Sequence, residues 1–237
     1  MAEVSSPLPR VVVLGAGVAG LEAAFLLESR LSGRVDLQVV YEHDEFVLRP
    51  NLVYMPFGAD RAASRLWVGE ALARKAIKGQ EGRVDGVDPD IGRVHLANGR
   101  QLPYEHLVIA TGAAPWMRAV PGLEEHAVSI WGPAEMLTLR ERFMHLRGRA
   151  REGSRQRALF VVPRHNRWSP PVYEMALMLD TWLRRERARD HVDIGFVTHE
   201  ASFVEAAGPR TRPSGCSRLA TTRRRSPTGE SSGSTFS

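Results

Sequence analysis

Residues Arg10–Gly20 read RVVVLGAGVAG, a β-branched run that passes directly into three glycines spaced G-x-G-x-x-G. Leu21, Ala24, Phe25 and Leu31 follow at helical spacing, Gly33 stands where such a helix stops, and Asp36–Tyr41 is a second apolar strand pattern. A continuous apolar strand is buried on both faces, so the pattern predicts an α/β domain built on a parallel sheet. Gly15 makes the tight turn, Gly17 leaves room for a pyrophosphate to approach the backbone, and Gly20 lets helix and strand pack closely. Ala16, Val18 and Ala19 complete the loop, whose helix end offers free N–H groups and a partial positive charge to phosphate oxygens. Glu42, 22 residues past Gly20, can accept hydrogen bonds from a ribose hydroxyl pair. A carboxylate there disfavours a 2′-phosphate, so the expected ligand carries an unphosphorylated adenosine.

Downstream, residues 67–77 (WVGEALARKAI) are predicted to form a helix. Residues 82–115 form a hairpin-rich run with turns at Asp88-Pro89-Asp90 and Asn98-Gly99, ending in a buried strand at Leu107–Ala110. That order suits a parallel sheet with an inserted β-meander. An amphipathic helix over 132–152 leads to a second βαβ pattern, with strand Arg157–Val162, helix Val172–Arg187 and strand Val192–Thr198. The second domain starts and does not finish, which leaves an apolar face uncovered and predicts association or poor solubility.

Past Gly208 the hydrophobic periodicity stops. Residues 209–237 are rich in Arg, Ser, Thr, Pro and Gly and are expected to be disordered, either as a basic arm or as out-of-frame translation past a frameshift; the second reading is preferred. Six arginines against one acid, Glu230, place the whole net charge of +5 in this tail and leave residues 1–208 neutral. A neutral body argues against a nucleic-acid partner. Cys216 is the one cysteine, which excludes an internal disulfide and a four-thiolate zinc site, and no histidine pair has metal-ligand spacing, so no metal is expected. Glycines and Glu22 interrupt the first apolar run and no signal-peptide flank precedes it, so a cytoplasmic chain is expected.

Tyr104–Pro115 (YEHLVIATGAAP) resembles the second fingerprint of flavoproteins with two dinucleotide-binding domains, a strand ending in Ala-Thr-Gly beside the first phosphate loop. Together with His43–Gly58 (HDEFVLRPNLVYMPFG) and Pro170–Arg185 (PPVYEMALMLDTWLRR), it makes residues 10 to about 205 similar to one branch of the FAD-dependent pyridine nucleotide-disulfide oxidoreductases. That branch holds the sulfide:quinone oxidoreductases and type II NADH dehydrogenases.

The resemblance implies a Rossmann-like FAD-binding domain at 1–118, a connecting segment and helix at 119–150, a partial nucleotide-binding-like domain at 151–208 and the tail at 209–237. It implies FAD as cofactor, held by the glycine loop and Glu42, with Thr111 and Gly112 alongside, Val84 near the adenine, and His43 and Arg49 near the FAD. The implied partners are a small-molecule electron donor and an acceptor such as a quinone, with peripheral membrane contact in full-length relatives. An NAD-dependent dehydrogenase and a non-catalytic FAD-binding remnant are the alternatives.

Several departures from the branch bear on activity. Trp168 stands where relatives often carry a cysteine, and sulfide oxidation needs a thiolate pair, so catalytic residues are not assigned. No glycine occurs between Gly153 and Gly195, so the second domain lacks a phosphate loop; Glu200 could still mimic a ribose acid there. His165 and Asn166, in the same loop, have no identifiable catalytic partner. The branch's later Gly-Asp segment and carboxyl-terminal domain are not visible.

Overall fold

The computed structural model describes residues 7–60, 62, 65–164, 166, 168–200 and the backbone of 220–221. The chain divides into two compact units, one of residues 1–52 and 60–116 and the other of 53–59 and 117–237.

In unit 1, β1 (Arg10–Leu14) leads through the glycines to α1 (Val18–Leu31) and back to β2 (Asp36–Tyr41). A two-residue ribbon follows, β3 (Phe46–Val47) with β4 (Arg65–Leu66), and then α2 (Val68–Ala73) and β5 (Lys78–Glu81). An antiparallel meander of β6 (Val84–Asp88), β7 (Arg93–Leu96) and β8 (Gln101–Pro103) crosses over to β9 (His106–Ile109). The parallel sheet has the order β5-β2-β1-β9. Its crossovers therefore reverse direction between β1 and β9.

The β-branched run explains this layering. Val11 and Val13 pack with Ala24, Leu37, Val39, Val68 and Leu72 on the helical side. Val12 and Leu14 pack with Val40, Val94, Leu96 and Leu102 on the meander side. Val11, Val12, Val13 and Leu14 are at most 5% exposed, and each such side chain contributes about 1.5–3 kcal/mol of burial, so β1 anchors both layers.

In unit 2, α3 (Leu123–His126) and α4 (Pro133–Arg151) precede β10 (Gln156–Val161), α5 (Pro170–Arg185) and β11 (Val192–Val197). The strands β10 and β11 are parallel, and β12 (Ala220–Thr221) pairs with Gly195 and Phe196. Apart from that pair, the expectation of a disordered tail falls outside the described residues. Buried Val172, Met175, Ala176, Leu179 and Leu183 form one face of α5, while Arg147 and Arg151 of α4 both pair with Glu186 just past its end. Leu159 on β10 and Val197 on β11 are exposed large apolar side chains.

The helix expected over 67–77 ends at Ala73, and Lys78–Glu81, to which the sequence reading assigned no element, is an edge strand of the main sheet. The helix expected to reach Arg187 ends at Arg185. Both stops share a device. Ile77 N–H donates to the Leu72 carbonyl and Ala76 N–H to that of Ala73, while Ala188 N–H donates to Leu183 and Arg187 N–H to Arg184. Ala76 (φ 56°) and Arg187 (φ 53°) occupy the left-handed position that glycine usually takes, so no glycine marked the stop in the sequence. Ala76→Gly relieves that conformation and is expected to raise unfolding stability by about 0.5–1 kcal/mol in urea titration; a loss would show that the position is not strained.

Candidate functional site

Unit 1 brings Gly15, Gly17, Gly20 and Gly112 to the carboxyl end of the sheet, at the point where the strand order reverses. Gly15 N–H donates to the Val40 carbonyl and Ala110 N–H to that of Leu14, both at 2.8 Å, so both neighbours of β1 are locked at this end. Gly15 has φ +99°, and a Cβ there would collide with the Ala110 carbonyl and lie 3.2 Å from the Thr111 Cα. The Ala-Thr-Gly segment thus lies directly against the glycine turn. A Cβ on Gly20 would collide with the Gly15 carbonyl and reach 3.5 Å from the Ala110 Cβ. At Gly17, by contrast, a Cβ would meet nothing within 4 Å, and the same holds at Gly112, whose φ is +78°.

The two kinds of glycine divide the labour. Gly15 and Gly20 are needed for chain packing, whereas Gly17 and Gly112 leave open space at the sheet end. Gly17, Val18 and Ala19 are exposed, Gly20 is buried, and Ala16 packs against the helical-side core. The first α-helical bond runs from Leu21 N–H to the Gly17 carbonyl at 2.9 Å. The amides of Val18, Ala19 and Gly20 precede it, and no acid lies in the first turn, so this helix end suits an anion.

The other residues singled out in the sequence lie around this end to differing extents. The register Leu14↔Val40 puts Glu42 two positions past the last β1–β2 pair, exposed and level with the loop; exposed His43 follows it. Exposed Arg49 opens a 3-10 segment, Arg49–Phe57. Thr111 is exposed just past β9. Val84 is the first residue of β6, pairs with Leu96 and packs against the meander-side core, which gives it a structural role of its own.

Sequence reasoning missed Asp44, whose Oδ1 accepts from Gly69 N–H at 2.5 Å at the start of α2. Burial first, and then the Asp44 and Glu81 charges, hold the neighbouring Tyr41 phenol above its ordinary pKa, so it stays protonated.

The corresponding end of unit 2 is built differently. Glu200 accepts hydrogen bonds from the hydroxyls of Ser169 and Tyr173, each at 2.5 Å, and from Thr198 Oγ1 at 3.2 Å. Burial, the largest single influence, pushes this carboxyl upward, yet the three hydroxyls and the His199 charge together outweigh it and hold the group below the usual range. Ser169 and Tyr173 were not found from sequence, since they lie 31 and 27 residues from Glu200. Asn166 Oδ1 accepts from Trp168 N–H at 2.8 Å, a local turn, and Trp168 is exposed. His165 and Cys216 lie outside the described residues.

Glu200→Ala removes the carboxylate that accepts from the Ser169 and Tyr173 hydroxyls and is expected to cost about 1–3 kcal/mol. Because the folded pKa is depressed, the charged group's contribution is present above the unfolded value of about 4.3 and is lost as pH falls through the folded one. Denaturation from about pH 6 to 3 should therefore show the natural chain losing more stability than Glu200→Gln; parallel curves would contradict this.

Comparison with known proteins agrees with this geometry. The family model for pyridine nucleotide-disulphide oxidoreductases matches residues 9–147, more than half of the chain. The chain belongs to that family. An NADH dehydrogenase-like protein of Mycobacterium tuberculosis is 32% identical to this chain over 129 residues, 52% of this chain and 31% of the relative. The sulfide-quinone reductase of Aquifex aeolicus is 27% identical over 191 residues, 80% of this chain and 43% of the relative. The solved Aquifex aeolicus sulfide:quinone oxidoreductase superposes with a TM-score of 0.70 at 24% identity, covering 79% of this chain and 42% of that one, and supports the fold. The chain spans less than half the length of these relatives. Among the described residues, no helix is long and apolar enough to cross a membrane.

Proposed function

We propose that unit 1 binds FAD and that the chain carries the cofactor-binding half of a flavin-dependent oxidoreductase, related to sulfide-quinone reductases and NADH dehydrogenases, that delivers electrons to an acceptor such as a quinone. The observation that carries this reading is the Ala110–Thr111 backbone lying against Gly15 at the reversal point of the sheet, with open space beside Gly17 and Gly112. Such a crevice, outside the carboxyl ends of the strands, is where open α/β sheets bind their ligands.

The residues present fit a dinucleotide. The amides of Val18, Ala19 and Gly20 and the α1 dipole receive the pyrophosphate, while the absence of a side chain at Gly17 lets it approach the backbone. Ala16 fixes the turn from below through its core contacts. Glu42 accepts from the adenosine ribose, and Thr111 and Gly112 border the cofactor on the β9 side. By family resemblance His43 and Arg49 flank the cofactor and Val84 lies toward the adenine. When bound, FAD supplies two-electron redox chemistry; the chain's part is to bind it, orient it and set its electrostatic surroundings. One cysteine cannot cycle a disulfide, so thiol-based sulfide chemistry is not assigned to this chain.

Calorimetric titration of the cofactor-free chain tests the reading. FAD is expected to bind once per chain, and Glu42→Gln to weaken it about tenfold by replacing a charged acceptor of the ribose hydroxyls. Unchanged affinity in Glu42→Gln would remove Glu42 from the site. Preference for a 2′-phosphorylated dinucleotide over FAD would overturn the assignment of the cofactor.

A further inference from the structure

Each unit passes from a strand into a helix, through Gly15–Gly17 in unit 1 and through residues 162–169 in unit 2, and the two helix starts present opposite chemistry. In unit 1 the first turn of α1 carries three amides and no acid. In unit 2 the chain leaves β10 and enters α5 at Ser169, followed by Pro170 and Pro171 in the first two helical positions. Proline has no N–H, so two of the donors that a helix end ordinarily offers are missing by chemistry. The next amide, Val172, donates to the Ser169 carbonyl at 2.9 Å. Among the described residues of this helix end, nothing comparable to the anion-receiving turn of α1 is left.

A carboxylate already occupies this end. Glu200 follows β11 and is held by the Ser169 hydroxyl at the helix cap, the Tyr173 hydroxyl in the first turn and the Thr198 hydroxyl from its own side. Ser169 is 3% exposed, and the Tyr173 ring stacks on Phe196 at 4.5 Å, so the donors are fixed by packing. Glu200 N–H also donates to Thr198 Oγ1 at 3.1 Å, which fixes the backbone that carries the carboxylate. A negative group beside a helix amino terminus satisfies the dipole there. A pyrophosphate brought to the same end would face a like charge. The acid at the ribose position after the second strand is turned inward and bonded to hydroxyls.

We propose that Glu200 is the resident anion of the α5 amino terminus and that, with Pro170 and Pro171, it closes unit 2 to NADH and NADPH. In a chain whose unit 1 holds a flavin, this removes pyridine nucleotides from the classes of reductant that unit 2 can seat. That consequence rests on the flavin reading, whereas the closure of unit 2 does not.

Hydrogen-exchange mass spectrometry on the full chain, with FAD, NADH or NADPH each at about 1 mM, separates the two. Slowed exchange over residues 15–21 with FAD reports on unit 1 alone. For unit 2, neither nicotinamide nucleotide is expected to change exchange over 162–173 or 198–200. Protection of those segments by about tenfold or more with NADH or NADPH would overturn the closure, whatever happens in unit 1. The resident-anion role has its own readout in Glu200→Ala. Inorganic phosphate is expected to raise the melting temperature of that variant above its value in chloride of equal ionic strength, and to raise it more than for the natural chain. Equal shifts in both proteins would overturn the anion assignment.

Discussion

Gly17→Val is expected to leave the fold standing and to weaken FAD binding by about 100-fold or more, equivalent to about 2.7 kcal/mol. The two halves of that outcome come from one observation. A Cβ at Gly17 meets nothing within 4 Å and φ there is −76°, an ordinary value for any residue, so the native chain can accept a side chain without strain. On the proposed flavin reading, the space the new side chain fills is the space through which the pyrophosphate reaches the α1 amides. Thermal unfolding of the cofactor-free protein should move little, while FAD titration shows the loss. An intact fold with undiminished FAD affinity would place the cofactor away from this loop.

Gly20→Val is expected to act in the opposite way, by preventing unit 1 from folding. Its Cβ would collide with the Gly15 carbonyl, a backbone atom that cannot swing aside as a side chain can. Gly15 is in turn fixed by its bond to Val40 and by its contact with Ala110. Relief requires α1 to move off the sheet, away from a core in which Ala24, Val13 and Val39 are each fully buried. The expected cost is about 3–5 kcal/mol, a large share of the stability of a domain this size. Denaturant titration and expression yield measure it. A soluble Gly20→Val protein of natural stability would show that α1 and β1 do not pack as closely as described.

Much of this architecture was legible because the sequence repeats its message at several levels. The run Val11–Leu14 is apolar throughout because β1 is covered on both faces, and the glycines after it have positions that only their geometry explains. Asp36–Tyr41 and the meander turns likewise announce themselves by period and punctuation. What was hidden had physical reasons. Lys78–Glu81 reads KGQE, with no apolar alternation, because an edge strand can be held by its backbone ladder to β2 with one side toward solvent. The ends of α2 and α5 lacked a glycine signal because Ala76 and Arg187 take the left-handed position.

The site divides along the same line. The glycine loop was visible as local spacing, and its contact with Ala110 and Thr111 follows from β9 pairing beside β1, a relation across nearly a hundred residues for which only the family resemblance offered a guide. The hydroxyl cage around Glu200 had no local signature at all. Ser169, Tyr173 and Thr198 are ordinary residues until β10, α5 and β11 fold and bring them onto one carboxylate.

The central claim, that unit 1 is a flavin site, is tested most directly by the visible absorption spectrum of the purified, unreconstituted protein, followed by identification of whatever is released on denaturation. A yellow protein that releases one FAD per chain is the expected result. A folded, colourless protein that takes up no FAD when the cofactor is supplied would contradict the claim.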